Sequence, residues 1–527
     1  MGRIRPKILL LSAAAVLCAG GIAVLVWWLL PGDDSGRSPA RAGHASGTAE
    51  PTGHGPAPVS VPTVRDWQGE AGPSWRVGDG TRVVTRNGSL ADEGRLLAGE
   101  LDVPYAKDSG DAGDVTLRLE KDADIPAEGY VLTSHDGKVR ITGSSQAGVF
   151  YGTRTLLQTV RAQGRLGSGT AHDAPDRPQR GLSLDIARKN FSAGWIEDRI
   201  REMGDLKLNQ LQLHVSDDQA FRLESDSHPE IVSPQHLTKK QVRQIVDLAA
   251  SRHIAVIPEI DSPGHLGAVL KAHPEFQLHN AQGEPVTGAV DVTDKKAGEL
   301  IDDLFEEYED LFPAKYRHIG GDEYPALLAS DPAASYPQLI DAAHKRYGPK
   351  GDIEDLATAW TNARAKTVRA MGKTPQVWND GIYADGQVKA GEHRQVTYWT
   401  GKENGARPPE DYLKAGRKLV NVNDEYLYYV LGEPNQFTYP TGERIYEEWT
   451  PAVLRGTKPV PDALAGRKHI LGGRFALWCD IADAQTPEEI AAGIHDPLAA
   501  TSQKLWNPQR PDLTWPQFRD LISRVSS

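Results

Sequence analysis

Cysteine is almost missing from this chain. Two occur in 527 residues, Cys18 and Cys479. Cys18 lies inside the first apolar run, so a disulfide between them is implausible and the fold must stand without cross-links. Positive charge is also short. Lys and Arg total 59 against 71 Asp and Glu, a formal net charge of -12, and no basic run follows the first seven residues. That balance excludes nucleic acid as the natural partner. Phenylalanine is scarcer than tryptophan, nine against twelve, and indole faces suit sugar rings, which are apolar on one side and wet at the edge.

What is there divides the chain into four stretches. The uncharged run from Ile8 to Leu30 follows Arg3, Arg5 and Lys7 and would reach roughly 35 Å as a helix, enough to cross a bilayer. No small-x-small cleavage site follows it. Residues 1–30 therefore read as an uncleaved signal-anchor with the rest of the chain on the extracellular face; a long cleaved signal peptide is the alternative. Residues 31–62 are rich in Pro, Gly, Ala and Ser and read as a flexible spacer. Residues 63–176 show short strands at Arg82–Val84, Asp114–Leu119, Gly129–Leu132 and Lys138–Ile141, with helices near Leu96 and over Ser145–Val160. They form a small α+β domain with no clustered ionisable groups.

From residue 177 to 527 strand and helix alternate. Eight strand candidates run over Gly181–Arg188, Gln210–Ser216, Ile254–Asp261, Arg317–Glu323, Pro375–Asp380, Gln395–Thr400, Lys418–Asn423 and Gly473–Asp480. Eight such units in this length fit a (β/α)8 barrel, an α/β fold. Nearly all of these strands end in a polar or aromatic residue, and in a barrel those ends meet on one face. The most telling end is His318-Ile319-Gly320-Gly321-Asp322-Glu323. Two glycines allow a close backbone approach, and two adjacent acids can converge on one ligand only where strand alternation breaks down.

These strings resemble glycoside hydrolase family 20, the β-N-acetylhexosaminidases. The resemblance rests on Arg180-Gly181-Leu182-Ser183-Leu184-Asp185-Ile186-Ala187-Arg188, His214-Val215-Ser216-Asp217-Asp218, Pro258-Glu259-Ile260-Asp261-Ser262-Pro263-Gly264-His265 and the acid-pair segment. It implies a retaining exo-hydrolase of terminal β-linked N-acetylhexosamines, with no metal and no cofactor. In that reaction the substrate's own acetamide attacks the anomeric carbon and gives an oxazolinium intermediate. By the same resemblance Glu323 is the acid–base, Asp322 orients the acetamide and Tyr426 bonds its oxygen. Trp378, Trp399 and Trp478 wall the site, Arg188 holds sugar hydroxyls, and Asp217, His265 and His318 support them. Mutual repulsion within the acid pair favours a protonated Glu323.

The chain departs from the family pattern twice. Tyr426-Leu427-Tyr428 stands where tyrosine-leucine-aspartate is usual, and Trp478-Cys479-Asp480 where tryptophan-x-glutamate is usual. Both variants resemble the branch of dispersin-type poly-N-acetylglucosamine hydrolases and lacto-N-biosidases. Tyr428 and Asp480 are accordingly the expected determinants of specificity. The expected partner is an N-acetylated glycan, with the membrane touched only through the N-terminal helix. Two other classes would use the same barrel: a non-catalytic glycan-binding protein, against which intact Asp322, Glu323 and Tyr426 argue, and a metal-dependent hydrolase, which needs more His or Cys ligands at strand ends.

Overall fold

The computed structural model describes residues 55–526, apart from positions 87, 109, 404, 510 and 511. The apolar run at 8–30 and most of the spacer lie outside the described residues. Among the described residues no helix is long and apolar enough to cross a membrane. The last spacer residues are packed rather than free. Val61 is fully buried, its N–H donates to Gln158 Oε1 at 2.7 Å, and the Val59 N–H donates to Thr159 Oγ1 at 3.0 Å. Composition alone marks 55–62 as linker because small residues and prolines carry little apolar area; two valines and backbone donors are enough to dock it.

Residues from Asp66 to Asp173 build a seven-stranded mixed sheet. It contains the four expected strands and adds Asp66–Gly69, Tyr105–Ala106 and Gly169–Asp173. The helix Gln146–Gln163 lies against it, started by Ser145, whose hydroxyl accepts from the Gly148 N–H. This domain is fixed to the barrel by buried charge. Arg180 donates to both oxygens of Glu128 at 3.0 Å, and Arg154 reaches Glu100 and Asp205.

The barrel has eight parallel strands: β1 (Gln179–Asp185), β2 (Gln210–His214), β3 (Ala255–Glu259), β4 (Tyr316–His318), β5 (Thr374–Trp378), β6 (Gln395–Tyr398), β7 (Lys418–Asn421) and β8 (Ile470–Trp478). Each pairs with the next, and β8 closes on β1. All eight expected strands are present. Their helices begin where cap residues direct them. Thr238, Asp352 and Thr486 each form a capping box with the residue three further on. A short strand, Tyr428–Val430, adds to β8 near its end.

The barrel interior is polar along much of its length. Arg474 of β8 is fully buried and donates to Gln210 Oε1 at 2.8 Å, Gln376 Oε1 at 2.8 Å and Gln212 Oε1. Burial lowers its pKa to about 10, and neutral amide oxygens satisfy its donors. Inward side chains alternate along each strand, so Gln212 is followed two residues on by His214, Gln376 by Trp378, and Arg474 eventually by Trp478. The same rows that fill the barrel therefore deliver the site. Arg474→Met leaves these glutamines without their shared donor, and we expect a loss of about 3–5 kcal/mol of stability, measured by chemical denaturation.

Candidate active site

At the carboxyl ends of the strands a cavity of about 610 Å³ opens, lined by Arg188, His214, His265, Asp322, Glu323, Trp378, Trp399, Tyr428, Trp478 and Asp480, with Lys402, Glu403, Asp424 and Phe437 further out. Its position follows from β4, which stops at His318. Gly320 and Gly321 take φ of +65° and +104°, and Glu323 takes +44°, a region few non-glycine residues adopt. A Cβ on Gly320 would lie 1.5 Å from Asp261 Oδ1. The close approach the glycines allow is thus to the Asp261 carboxylate, which accepts from the Gly321 N–H at 2.9 Å. The broken alternation turns Asp322 and Glu323 towards one imidazole: His265 Nε2 lies 3.6 Å from Asp322 Oδ2 and 3.3 Å from Glu323 Oε2.

The other ring nitrogen of His265, Nδ1, is 3.4 Å from Asp217 Oδ1. Asp217 in turn holds His214 Nε2 at 2.9 Å and Arg188 Nη2 at 2.8 Å. Burial opposes charge on His265, but Asp217, Glu323 and Asp322 outweigh it and raise its pKa well above the ordinary imidazole value. Burial likewise opposes ionisation of Glu323, yet His265 and Arg188 hold its pKa below the usual range. Asp322 goes the other way: burial and the neighbouring Asp261 raise it well above normal, and burial raises Asp261 as well. The two acids are therefore pushed apart: His265 and Arg188 favour the ionised form of Glu323, whereas burial and Asp261 favour the protonated form of Asp322. This reverses the expectation of a protonated Glu323. Repulsion between the two acids is real, but His265 decides which of them ionises.

Aromatic rings line the same cavity. Trp378 is fully buried and donates through Nε1 to Glu259 Oε1 at 2.6 Å. Trp399 donates through Nε1 to Asp380 Oδ1 at 3.0 Å and stacks on Tyr428, with centroids 5.5 Å apart and planes 8° apart. Trp478 meets Trp378 and Tyr428 at 5.8 and 5.9 Å, and the Arg188 guanidinium lies 5.7 Å above its ring. Arg188 is itself held by Asp185 at 3.1 Å. Asp480 lines the rim beside it.

Tyr426 is not brought to this cavity. Its ring packs into the core under the Arg444 guanidinium, and its hydroxyl donates to Glu448 Oε2 at 3.0 Å. Tyr428 occupies the aromatic wall instead, and along its strand Val430 faces the same cavity. Asp217 is a buried support rather than a lining residue, as is His318, which contacts Glu259 at 3.1 Å and Thr397 Oγ1 at 3.1 Å.

Some participants went unassigned from sequence. His214 lines the cavity, and Glu259 and Asp217 raise its pKa to about 10 despite burial. Asp380 accepts from the Glu323 N–H at 3.1 Å as well as from Trp399; burial raises its pKa to about 7. Both stood at strand ends, which was the available signal, but nothing in the sequence shows which neighbour each would hold. Two groups here have metal-ligand character, His214–Glu259–Asp261 and Asp261–His265–Asp322. Their members are engaged with one another and with Trp378, Gln212 and Asp217.

A parallel barrel with paired acids and aromatic rings lining one cavity at its carboxyl end has the layout of a barrel enzyme's active site. Sequence profiles make this specific. That described as "Glycosyl hydrolase family 20, catalytic domain" matches residues 178–509, and "Glycosyl hydrolase family 20, domain 2" matches 58–174. The chain belongs to glycoside hydrolase family 20. It is 30% identical over 478 residues to a lacto-N-biosidase of Bifidobacterium bifidum, covering 89% of this chain and 41% of that protein. To a beta-hexosaminidase of Porphyromonas gingivalis it is 26% identical, covering 87% of this chain and 61% of the relative. The chain thus spans about two fifths and three fifths of those relatives. Among solved structures, the β-N-acetylhexosaminidase of Streptomyces coelicolor superposes with a TM-score of 0.71 at 26% identity, over 91% of this chain and 96% of that one.

The charge on His265 depends on Asp217. In Asp217→Asn the imidazolium loses the anion on its Nδ1 side, so its pKa falls. The alkaline limb of the kcat/KM profile should therefore move to lower pH than in the wild type, and an unchanged limb would show that Asp217 does not set it.

Proposed function

We propose that the protein releases terminal β-linked N-acetylhexosamine units by substrate-assisted catalysis with retention of configuration. The observation that carries this reading is that Asp322 and Tyr428 line one cavity together with Trp378, Trp399 and Trp478, a slot suited to an acetamide. An acetamide has an apolar methyl, an N–H donor and a carbonyl acceptor, and this slot offers indole faces, a carboxylate and a phenol. The Tyr428 hydroxyl takes the part that the family pattern assigns to Tyr426. With the proton that Asp322 and Asp261 share left on Asp261, the Asp322 carboxylate accepts from the acetamide N–H and stabilises positive charge as the oxazolinium forms.

The proton for the leaving group comes from the His265–Glu323 pair. In the open site the pair is an imidazolium and a carboxylate 3.3 Å apart. A sugar filling the cavity displaces water, and low polarity disfavours two charges. The proton then moves from His265 Nε2 to Glu323, which delivers it to the glycosidic oxygen and later takes one from the attacking water. Glu323→Gln should fold normally and lose roughly 10²–10⁴ in turnover on substrates with poor leaving groups. Tyr428→Phe should lower kcat, whereas Tyr426→Phe should leave it near wild type; the reverse result would return the role to Tyr426.

Specificity beyond the acetamide rests on a shifted register. With Tyr428 as the acetamide tyrosine, the family's aspartate two residues on becomes Val430, which faces the cavity. An apolar side chain there removes an acceptor for sugar hydroxyls and leaves Asp480 as the acid at that rim. This favours a second sugar beyond the N-acetylhexosamine, in line with the lacto-N-biosidase likeness. Val430→Asp should raise kcat/KM on a simple N-acetyl-β-glucosaminide relative to a lacto-N-bioside, because a buried acceptor discriminates strongly for its hydroxyl. No change in the ratio would remove Val430 as a determinant. The location at the extracellular face rests on the apolar run at 8–30 alone, and fractionation of native cells tests it.

A further inference from the structure

On the same loops that carry Asp217 and His265, but away from the cavity, two imidazoles converge on one carboxylate oxygen. His228 Nδ1 lies 3.2 Å and His273 Nε2 3.0 Å from Glu230 Oε1. The second nitrogen of each ring faces a different acid: His228 Nε2 is 3.4 Å from Asp303 Oδ2, and His273 Nδ1 is 3.1 Å from Glu275 Oε1. The side chains of His228 and His273 are 17% and 21% exposed, Glu230 42%, so solutes reach them. We propose that His228, Glu230 and His273 bind a divalent transition-metal ion of zinc type.

Three features carry this. The donor set, two imidazoles and one carboxylate, is one that zinc takes with a fourth position left to water, and imidazole selects such ions over calcium or magnesium. The spacing fits: bonds of about 2.0 Å at tetrahedral angles place ligand atoms about 3.3 Å apart, within a few tenths of both imidazole–carboxylate separations, and all three ligand atoms lie within 4.8 Å of one another. Each imidazole is also backed by its own carboxylate, the arrangement that fixes ring orientation and raises basicity in metal-binding histidines. A surface ion-pair cluster has no need of two separate acids each oriented on the outer nitrogen of a ring.

The ligands come from two segments. His228 and Glu230 lie on the loop after β2, beside the turn Pro229–Ile231, and His273 follows the helix Gly267–Ala272 after β3. These segments already meet near the active site, where the Gly267 N–H donates to Asp218 Oδ1 at 2.9 Å. An ion at the outer end cross-links the loops that hold Asp217 and His265.

The test uses the full chain, stripped with chelator and equilibrated with zinc chloride or cobalt chloride alone. One ion per chain should survive gel filtration, cobalt should give the visible absorption of a tetrahedral site, and zinc should raise the Tm. His273→Gln and Glu230→Gln should abolish all three effects. Asp303→Asn and Glu275→Gln, at exposed positions, should weaken affinity by about 10–100-fold and keep the test open if a ligand variant fails to fold. Failure to retain an ion at stoichiometry overturns the proposal. Retention unaffected by these variants also overturns it, because the ion would then sit elsewhere, as at Asp261, His265 and Asp322.

Discussion

The site depends on a single imidazole shared between carboxylates. His265 stands between Asp217 on one nitrogen and the Asp322–Glu323 pair on the other. That contact requires β4 to stop at His318, the chain to pass Gly320 against Asp261, and Glu323 to adopt a left-handed backbone. A residue held in such a conformation costs stability. Here the Asp380 carboxylate, which accepts from the Glu323 N–H, offsets part of that cost. The same carboxylate holds Trp399, so the acid and one wall of the cavity are positioned by one buried group.

Buried charge in this protein follows a gradient along the barrel. Low in the barrel, Arg474 is met by neutral glutamines. At the strand ends, His214, His318 and His265 are met by Glu259, Asp217 and the acid pair. Moving from amides to carboxylates turns a packing layer into an electrostatic one, because inward residues two apart on a strand share a face. The chemistry is an extension of the core by one more layer.

The barrel was legible in the sequence because strand ends and caps leave strong local marks. Thr238, Asp352 and Thr486 announce their helices, and the eight polar-ended runs are the eight strands. Asp322, Glu323, His265, Arg188, Trp378, Trp399, Trp478 and Asp480 do come together in the structure. The choice between Tyr426 and Tyr428 was not legible, since it turns on the pairing of Tyr428–Val430 with β8, and a shift of two residues leaves the local pattern unchanged. Nor could the sequence show that His265 would favour the ionised form of Glu323 while Asp261 and burial favour the protonated form of Asp322. Those directions depend on distances between residues about 60 positions apart in the chain.

The central claim is that the substrate's acetamide, not an enzyme carboxylate, attacks the anomeric carbon. It is tested most directly by comparing hydrolysis of an aryl N-acetyl-β-glucosaminide with that of the matching aryl β-glucoside and 2-amino-2-deoxy analogue. The account predicts turnover of the acetamide substrate and barely detectable turnover of the other two, although leaving group and ring are the same. Comparable rates on all three would contradict it, because the enzyme would then have to supply its own nucleophile.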